Sequence, residues 1–205
     1  MVINLHPDNC KMYADWKKFI SGHSGIATID LNGYLNFDDY IARGYSSTAR
    51  NLWRRTYREG YYSRVITMEE RNDRLKEIDE INQSKAHRQG REMSAGYRTP
   101  AQAYTGARTC EHHYGEWFGG FNQDGKLIAY INGNFCGEMS ASSQILGHWD
   151  YLKSGIMYQL WGSFIRESFE RKMRYVIYHL MDSGTPGLQL WKRAVGLKPT
   201  SLQFE

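Results

Sequence analysis

The apolar positions of this chain fall into short runs whose period changes along its length. Over residues 8–20, Met12, Trp16 and Phe19 recur at near-helical spacing, and Gly22 and Gly25 end the run. Asn36 or Asp38 is placed to cap a short helix that stops at Gly44. A second helix begins near Ser47, with Ser46 or Ser47 as its N-cap and Gly60 as its stop. Residues 61–67 alternate weakly and contain Tyr61, Tyr62, Val65 and Ile66, which predicts a strand. Thr67-Met-Glu-Glu70 has the form of a capping box. It opens a helix with Leu75, Ile78 and Ile81 on one face, ending near Ser84. Residues 85–109 then carry few aliphatic side chains, two early glycines and a proline, and predict a long loop. Compact domains rarely keep such a loop unless it binds or closes over something, although a plain surface connection has the same composition.

The second half is more regular. Residues 112–122 and 126–135 are strand-like and flank Gln123-Asp-Gly125, a strong hairpin signal. Residues 139–147 predict a third strand. Residues 153–171 predict a helix with Met157, Leu160, Trp161 and Phe164 on one stripe. A buried strand over 174–181, a turn over 182–187, a short helix over 188–194 with Gly196 as its stop, and a last strand over 201–204 complete the order. At 205 residues this is one domain: a helical, basic half over 1–110 and a hairpin-plus-βαβαβ half over 111–205.

Charge sharpens this division. Residues 43–108 carry 14 Lys+Arg against 8 Asp+Glu, whereas the whole chain has 26 against 22. Arg50, Arg54 and Arg58 repeat at i, i+4 and i+8, with Arg55 beside them. Like charges stacked on one helix face repel, so the pattern suggests an anionic ligand; a solvated helix face is the plainer alternative. The hydrophobic share of 41% and aromatic share of 14% suit a packed core. Cys10, Cys110 and Cys136 are odd in number and widely spaced, and read as reduced intracellular thiols. No apolar run reaches the roughly 20 residues that span a bilayer, and residues 1–18 do not resemble a signal peptide. A cytoplasmic protein with no membrane partner is expected.

Several motifs together resemble a known family. Tyr158-Gln-Leu-Trp-Gly-Ser-Phe-Ile165, Gly187-Leu-Gln-Leu-Trp-Lys192 and Gly196-Leu-Lys-Pro199 are similar to the C-terminal signature of the GNAT acyltransferase superfamily. They look most like its Fem-type and related acetyltransferase branch, where a Gly-Leu-x-x-Phe-Lys helix precedes a Gly-Phe turn. Here Trp191 and Leu197 replace the two phenylalanines. Upstream, Ser47-x-x-Arg50-x-x-x-Arg54-Arg55 resembles that branch's Ser-x-x-x-Arg-x-x-x-Arg-Arg helix with the spacing shifted by one. The two signatures span residues 46–204. The resemblance implies an α/β fold with a mixed, mostly antiparallel, twisted sheet flanked by helices on both faces and splayed between two strands. It also implies transfer of an acyl or aminoacyl group to an amine.

The resemblance further implies a donor, acetyl-CoA or another acyl donor such as an aminoacyl-tRNA. The family's pyrophosphate turn, Arg/Gln-x-x-Gly-x-Gly/Ala, is replaced here by His148-Trp-Asp-Tyr-Leu-Lys-Ser-Gly155. Lys153, Ser154 and Gly155 remain as candidate phosphate-facing positions, with Lys192 as a further donor-binding candidate. Glu138, His148 and Asp150 flank the third strand and are the candidate bases, with caps and surface charges as their plainer roles. Tyr178 and His179 end the predicted buried strand; alternation sends them to opposite faces, so at most one is expected in the cleft. Tyr178 is carried as a catalytic candidate.

Arg50, Arg54, Arg55, Arg88 and Arg91 are the candidate anion-binding residues, with Gly90 offering an anion nest between the last two. Cys110, His112 and His113 lack a fourth ligand at diagnostic spacing, so no metal is expected. Trp117, Phe118, Phe121 and Tyr130 fit a core better than a base-stacking platform. The acceptor stays open between a small molecule, a peptide and a nucleic-acid base, the last as in phage-type nucleic-acid-modifying proteins that resemble this family. A non-catalytic protein that binds DNA or tRNA through its basic half is the alternative.

Overall fold

The computed structural model describes residues 2–3, 11–88, 91–105, 110 and 112–204. In chain order the elements are β1 (Val2–Ile3), α1 (Lys11–Ser21), β2 (Ile26–Asp30), α2 (Phe37–Arg43), α3 (Ser47–Arg58) and β3 (Tyr62–Ile66). Next come α4 (Met68–Asp73), α5 (Leu75–Gln83), β4 (His87–Arg88), β5 (Arg91–Glu92) and α6 (Ala95–Arg98). The second half holds β6 (His113–Phe121), β7 (Leu127–Cys136), β8 (Met139–Gly147), α7 (Ile156–Glu170), β9 (Tyr175–Leu180), α8 (Pro186–Ala194), β10 (Lys198–Thr200) and β11 (Gln203–Phe204).

Seven strands form the main sheet in the order β10-β2-β9-β8-β7-β6-β3. All neighbours are antiparallel except β8 and β9, which run parallel because α7 crosses between them. Helices cover both faces, as expected. On one face α7 lays Ile156, Leu160, Trp161, Phe164 and Ile165 onto Phe118, Ile128, Ile131 and Phe135. Gly133 of β7 permits this approach, since a Cβ there would lie 2.7 Å from the Phe164 ring. On the other face α5 packs Ile78 and Ile81 with Trp117, Phe121, Leu127 and Tyr130, and α1 packs Ile20 near Ile26, Tyr175 and Ile177. The hairpin aromatics are core, as their pattern suggested.

The caps also match the sequence. Asn36 Oδ1 accepts from the Asp39 N–H, and Ser46 Oγ from the Ala49 N–H. Thr67 Oγ1 accepts from the Glu70 N–H, but Glu70 does not complete the box; its carboxylate pairs with Arg64 and Arg74 instead.

Six features differ from the sequence pattern. Ile26–Asp30 is a buried strand, one in from the sheet's β10 edge, that no alternation announces. The helix predicted from Thr67 to Ser84 breaks at Arg74 into α4 and α5. The segment after Lys85 folds into the β4–β5 ribbon and the α6 turn rather than a featureless loop. Residues 149–154 form a 3-10 turn, so α7 starts at Ile156. Finally, α8 starts two residues earlier, with Thr185 as N-cap and Pro186 at its first position, and Lys198–Thr200 joins the main sheet ahead of Gln203–Phe204, which pairs with β1.

Candidate active site

The sheet opens at one place. β8 keeps β7 as its partner from Met139 to Gly147, but pairs with β9 only at Met139↔Tyr175, Ser140↔Val176 and Ala141↔Ile177. Beyond Ala141 the two strands part, and the edge of β8 that faces β9 lacks a strand partner. A bulge sits at the same place: the register passes from Gly133↔Ser142 to Asn132↔Gln144 and leaves Ser143 extra. The Ser143 hydroxyl fixes the bulge by donating to Asn132 O at 3.0 Å.

Two adjoining cavities fill the opening. The first, about 380 Å³, is bounded by β8 residues 142–146, Tyr178 and His179 of β9, the start of α8, and Arg88, Met93 and Tyr97 from the segment after α5. The second, about 560 Å³, is more apolar and is walled by Trp149, Met157, Tyr158, Leu188 and Trp191, with Lys85 and His87 at its side. Arg88, Ile145, Leu146, Tyr178 and Leu188 border both. The segment read from sequence as a loop therefore lies over the opening, and both Tyr178 and His179 reach it. They still alternate, Tyr178 facing α7 and His179 lying 5.3 Å from the Phe19 ring of α1, but the gap is open to both faces, so both border it, against the expectation of at most one.

Tyr178 stands at the shared wall. Its ring packs edge-on to Trp161 and Trp191, at 6.1 and 5.8 Å between centroids. Burial, and next the Tyr97 phenol, push its hydroxyl up to about 12, so it stays protonated at neutral pH. His179 Nδ1 lies 3.1 Å from Ser183 Oγ, in the turn that leads to α8. Ser142 lines the first cavity with its hydroxyl unpartnered and only 7% of the residue exposed.

Arg88 ties the opening's rim together. Nη1 donates to Gly147 O at 2.7 Å, and Nη2 to Ile81 O at 3.0 Å and to Ser84 Oγ at 2.5 Å. Ser84 Oγ in turn receives the Trp149 N–H at 3.0 Å. Burial lowers the Arg88 guanidinium from its ordinary value.

The other candidates are placed elsewhere or already engaged. Lys192 is fully buried, and its Nζ donates to Leu180 O (2.6 Å), Ser183 O (2.8 Å), Ser183 Oγ (3.0 Å) and Met181 O (3.3 Å). It fastens the β9–α8 turn and has no donor left for a cofactor, contrary to its expected role. Burial pushes the Lys192 ammonium down to about 8, against a smaller upward effect of Asp182.

Arg55 Nη2 donates to Lys153 O (2.6 Å) and Ser154 O (3.1 Å), pinning the 3-10 turn onto α3. Arg50 Nη1 donates to Ala42 O and Tyr45 O, both at 2.6 Å, and closes the end of α2. These two arginines hold backbone, not an external anion. Arg54 is exposed on the far side of α3, beside Trp53, Tyr57 and Arg58. The backbone of Arg91 pairs with Arg88 in the β4–β5 ribbon; its side chain and Gly90 lie outside the described residues.

The carboxylate candidates do not border the cavities. Glu138 sits in the β7–β8 turn at the closed end of the β8–β9 pair, where its carbonyl accepts from the Arg174 and Tyr175 N–H groups. His148 Nδ1 accepts the Asp150 N–H at 3.3 Å and caps the 3-10 turn, while Asp150 points outward with its side chain 78% exposed. Before α7, Gly155 adopts φ 92° against Leu52, and Ser154 Oγ takes the Ile156 N–H. The Lys153–Gly155 segment thus forms a turn held by Arg55 and Ser154 rather than a glycine-rich phosphate cradle. Among the described residues there is no group of three or more His, Cys, Asp or Glu placed to hold a metal ion, and no helix long and apolar enough to cross a membrane.

Solved structures superpose on this fold. FemX superposes with a TM-score of 0.64 at 8% identity, over 86% of this chain and 59% of that one. L-PGS from Bacillus licheniformis gives 0.55 at 14% identity, over 86% and 58%. A tandem GNAT protein from the clavulanic acid biosynthesis pathway gives 0.50 at 14% identity, over 97% and 58%. The chain has the GNAT fold. It spans under three-fifths of the length of each of these GNAT-fold proteins. No family profile matches the chain, and no curated protein matches it in sequence.

Within this GNAT framework the sequence missed Trp149, Tyr158 and Trp191 as cavity walls, together with Lys85, His87 and Ser142. Trp191 was visible only as a substitution in the C-terminal motif. Nothing local marks the others, because β8, α7 and α8 come together only in the folded chain.

Proposed function

We propose that this protein transfers an acyl group from an activated ester or thioester to an amine in the gap between β8 and β9. The parting of those strands around Tyr178 carries the reading. Beyond Ala141 the unpaired edge of β8 offers backbone donors and acceptors to an extended donor chain, as an added strand would use them. The amine nitrogen attacks the acyl carbon, forming the C–N bond, and backbone N–H groups at the Ser143 bulge steady the oxyanion. His179 takes the proton lost by the amine. As the intermediate collapses, the bond from carbon to the leaving sulfur or oxygen breaks, and the Tyr178 hydroxyl supplies that atom's proton.

The turn before α7 lacks the glycine-rich cradle that the pyrophosphate of coenzyme A uses. The more apolar second cavity, lined by Trp149, Tyr158 and Trp191, suits an acyl or aminoacyl group larger than acetyl. The test is transfer by the whole chain to a mixed amine panel, from acetyl-CoA by thiol release and from aminoacyl-tRNA by loss of the charged ester. Transfer from either supports the reading, and preference for the second donor follows from the missing cradle. Transfer from neither contradicts it.

A further inference from the structure

We infer that the acceptor taken by this cleft is an amine that carries its own anion, a carboxylate or a phosphate, and that Arg88 is the cation that meets it. This rests on the acyl-transfer reading for the word acceptor, though not for the binding preference.

Among the described residues, Arg88 is a charge without a counter-ion. It is half-buried and borders both cavities, yet among the described residues its bonds go only to neutral oxygens: Gly147 O, Ile81 O and Ser84 Oγ. Its Nε has no acceptor. The ionisable neighbours that act on it are the phenols of Tyr97 and Tyr130, not a carboxylate. A desolvated cation of this kind favours an anion brought by a ligand.

The surroundings have the same sign. Lys85, with Nζ 3.0 Å from the centre of the Trp149 ring, and His87 line the second cavity, and His179 lines the first. The N-terminus of α8, a nine-residue helix, opens beside Thr185, Gly187 and Leu188, adding partial positive charge. Among the described residues, neither cavity is lined by an aspartate or glutamate.

Arg71 gives a useful contrast. Among the described residues it too lacks a carboxylate, but it is 6% exposed, closes over Trp117 at 4.7 Å and donates to Gln102 O. Its charge is absorbed by the packing, whereas that of Arg88 faces a space large enough for a substrate.

Such a cleft disfavours a polyamine or a bare ammonium. It welcomes an anion, and the same positive field lowers the pKa of an amine held beside it. More of that amine is then in the neutral form that attacks, which removes the need for a carboxylate base.

Calorimetric titration of the wild-type chain without any acyl donor tests this. The ligands are matched pairs, L-leucine against isopentylamine and O-phosphoethanolamine against ethanolamine, with spermidine as the polycation. The expected result is binding at least about tenfold tighter for the anionic member of one pair, weakened by salt, with spermidine weaker still. The pair with the larger ratio tells carboxylate from phosphate. Equal or tighter binding of the bare amines, or no binding by any member, overturns the inference.

The readout needs no turnover, so a failure of acyl transfer leaves it intact. Conversely, efficient transfer to spermidine would keep the reaction and sink this specificity. Arg88→Lys and Arg88→Met should erase the discrimination. Their melting curves are run alongside because Arg88 also holds Gly147 and Ile81.

Discussion

Replacing Lys192 by methionine should destabilise the protein through the turn that closes one wall of the cleft. The apolar stem of Lys192 is retained in methionine, so little packing is lost. What goes is the ammonium, which serves three backbone carbonyls and the Ser183 hydroxyl from a fully buried position. Losing the donor leaves carbonyls of Leu180, Met181 and Ser183 without it, and bonds from a charged donor are worth roughly 1.5–3 kcal/mol each. Part of that is returned by no longer burying a charge with no carboxylate bonded to it. The net loss is therefore about 3–5 kcal/mol, or roughly 6–20 °C in Tm for a chain of this size. Differential scanning calorimetry at pH 7 reads it directly. A loss under about 2 °C would refute the assignment of Lys192 as the fastener of the β9–α8 turn and return it to the ligand-binding candidates.

Other outcomes follow from the same contacts. Arg55→Ala should cost about 1–2 kcal/mol by freeing the carbonyls of Lys153 and Ser154, whereas Arg54→Ala, one residue earlier and exposed, should stay within about 0.5 kcal/mol; urea unfolding of both separates them. Gly196→Ala should cost at least about 2 kcal/mol, because Gly196 has φ 83° and the added Cβ would lie 2.9 Å from Gly44 O; calorimetry against wild type checks it. The Tyr178 hydroxyl ionises at about 12 in the fold against 10.0 ordinarily, so the folded state holds its proton longer. Stability should therefore fall by roughly 2–3 kcal/mol as pH rises from 10 to about 12, a fall that the Tyr178→Phe variant should not show while its stability at pH 7 changes little.

The second half of the fold was legible because its signals are local. Gln123-Asp-Gly125 marks a hairpin, and the apolar stripe of α7 repeats at helical spacing within one segment. β2 was not, because Ile26-Ala-Thr-Ile is buried on both faces and so shows no alternation. The start of α8 was announced by Thr185-Pro186, an N-cap followed by a first-turn proline, and was misread as part of a turn.

The site was only partly legible. Regular arginine spacing on α3 reads as a ligand face, but Arg50 turns back onto the carbonyls of Ala42 and Tyr45, and Arg55 meets those of Lys153 and Ser154, a segment that sequence cannot place beside it. Glu138 is adjacent to β8 in sequence yet lies at its closed end, since proximity along a strand does not say which end opens. Tyr178 and Arg88 were within reach because a strand end and an unusual loop are both sequence features.

The most direct test of the central claim is the rate of acyl transfer by Tyr178→Phe, with whichever donor the wild-type protein accepts. Phenylalanine keeps the ring that packs against Trp161 and Trp191 and removes only the hydroxyl. kcat should fall roughly 10²–10⁴-fold at pH 7 with the Tm held within a few degrees. A variant that turns over at the wild-type rate would contradict it.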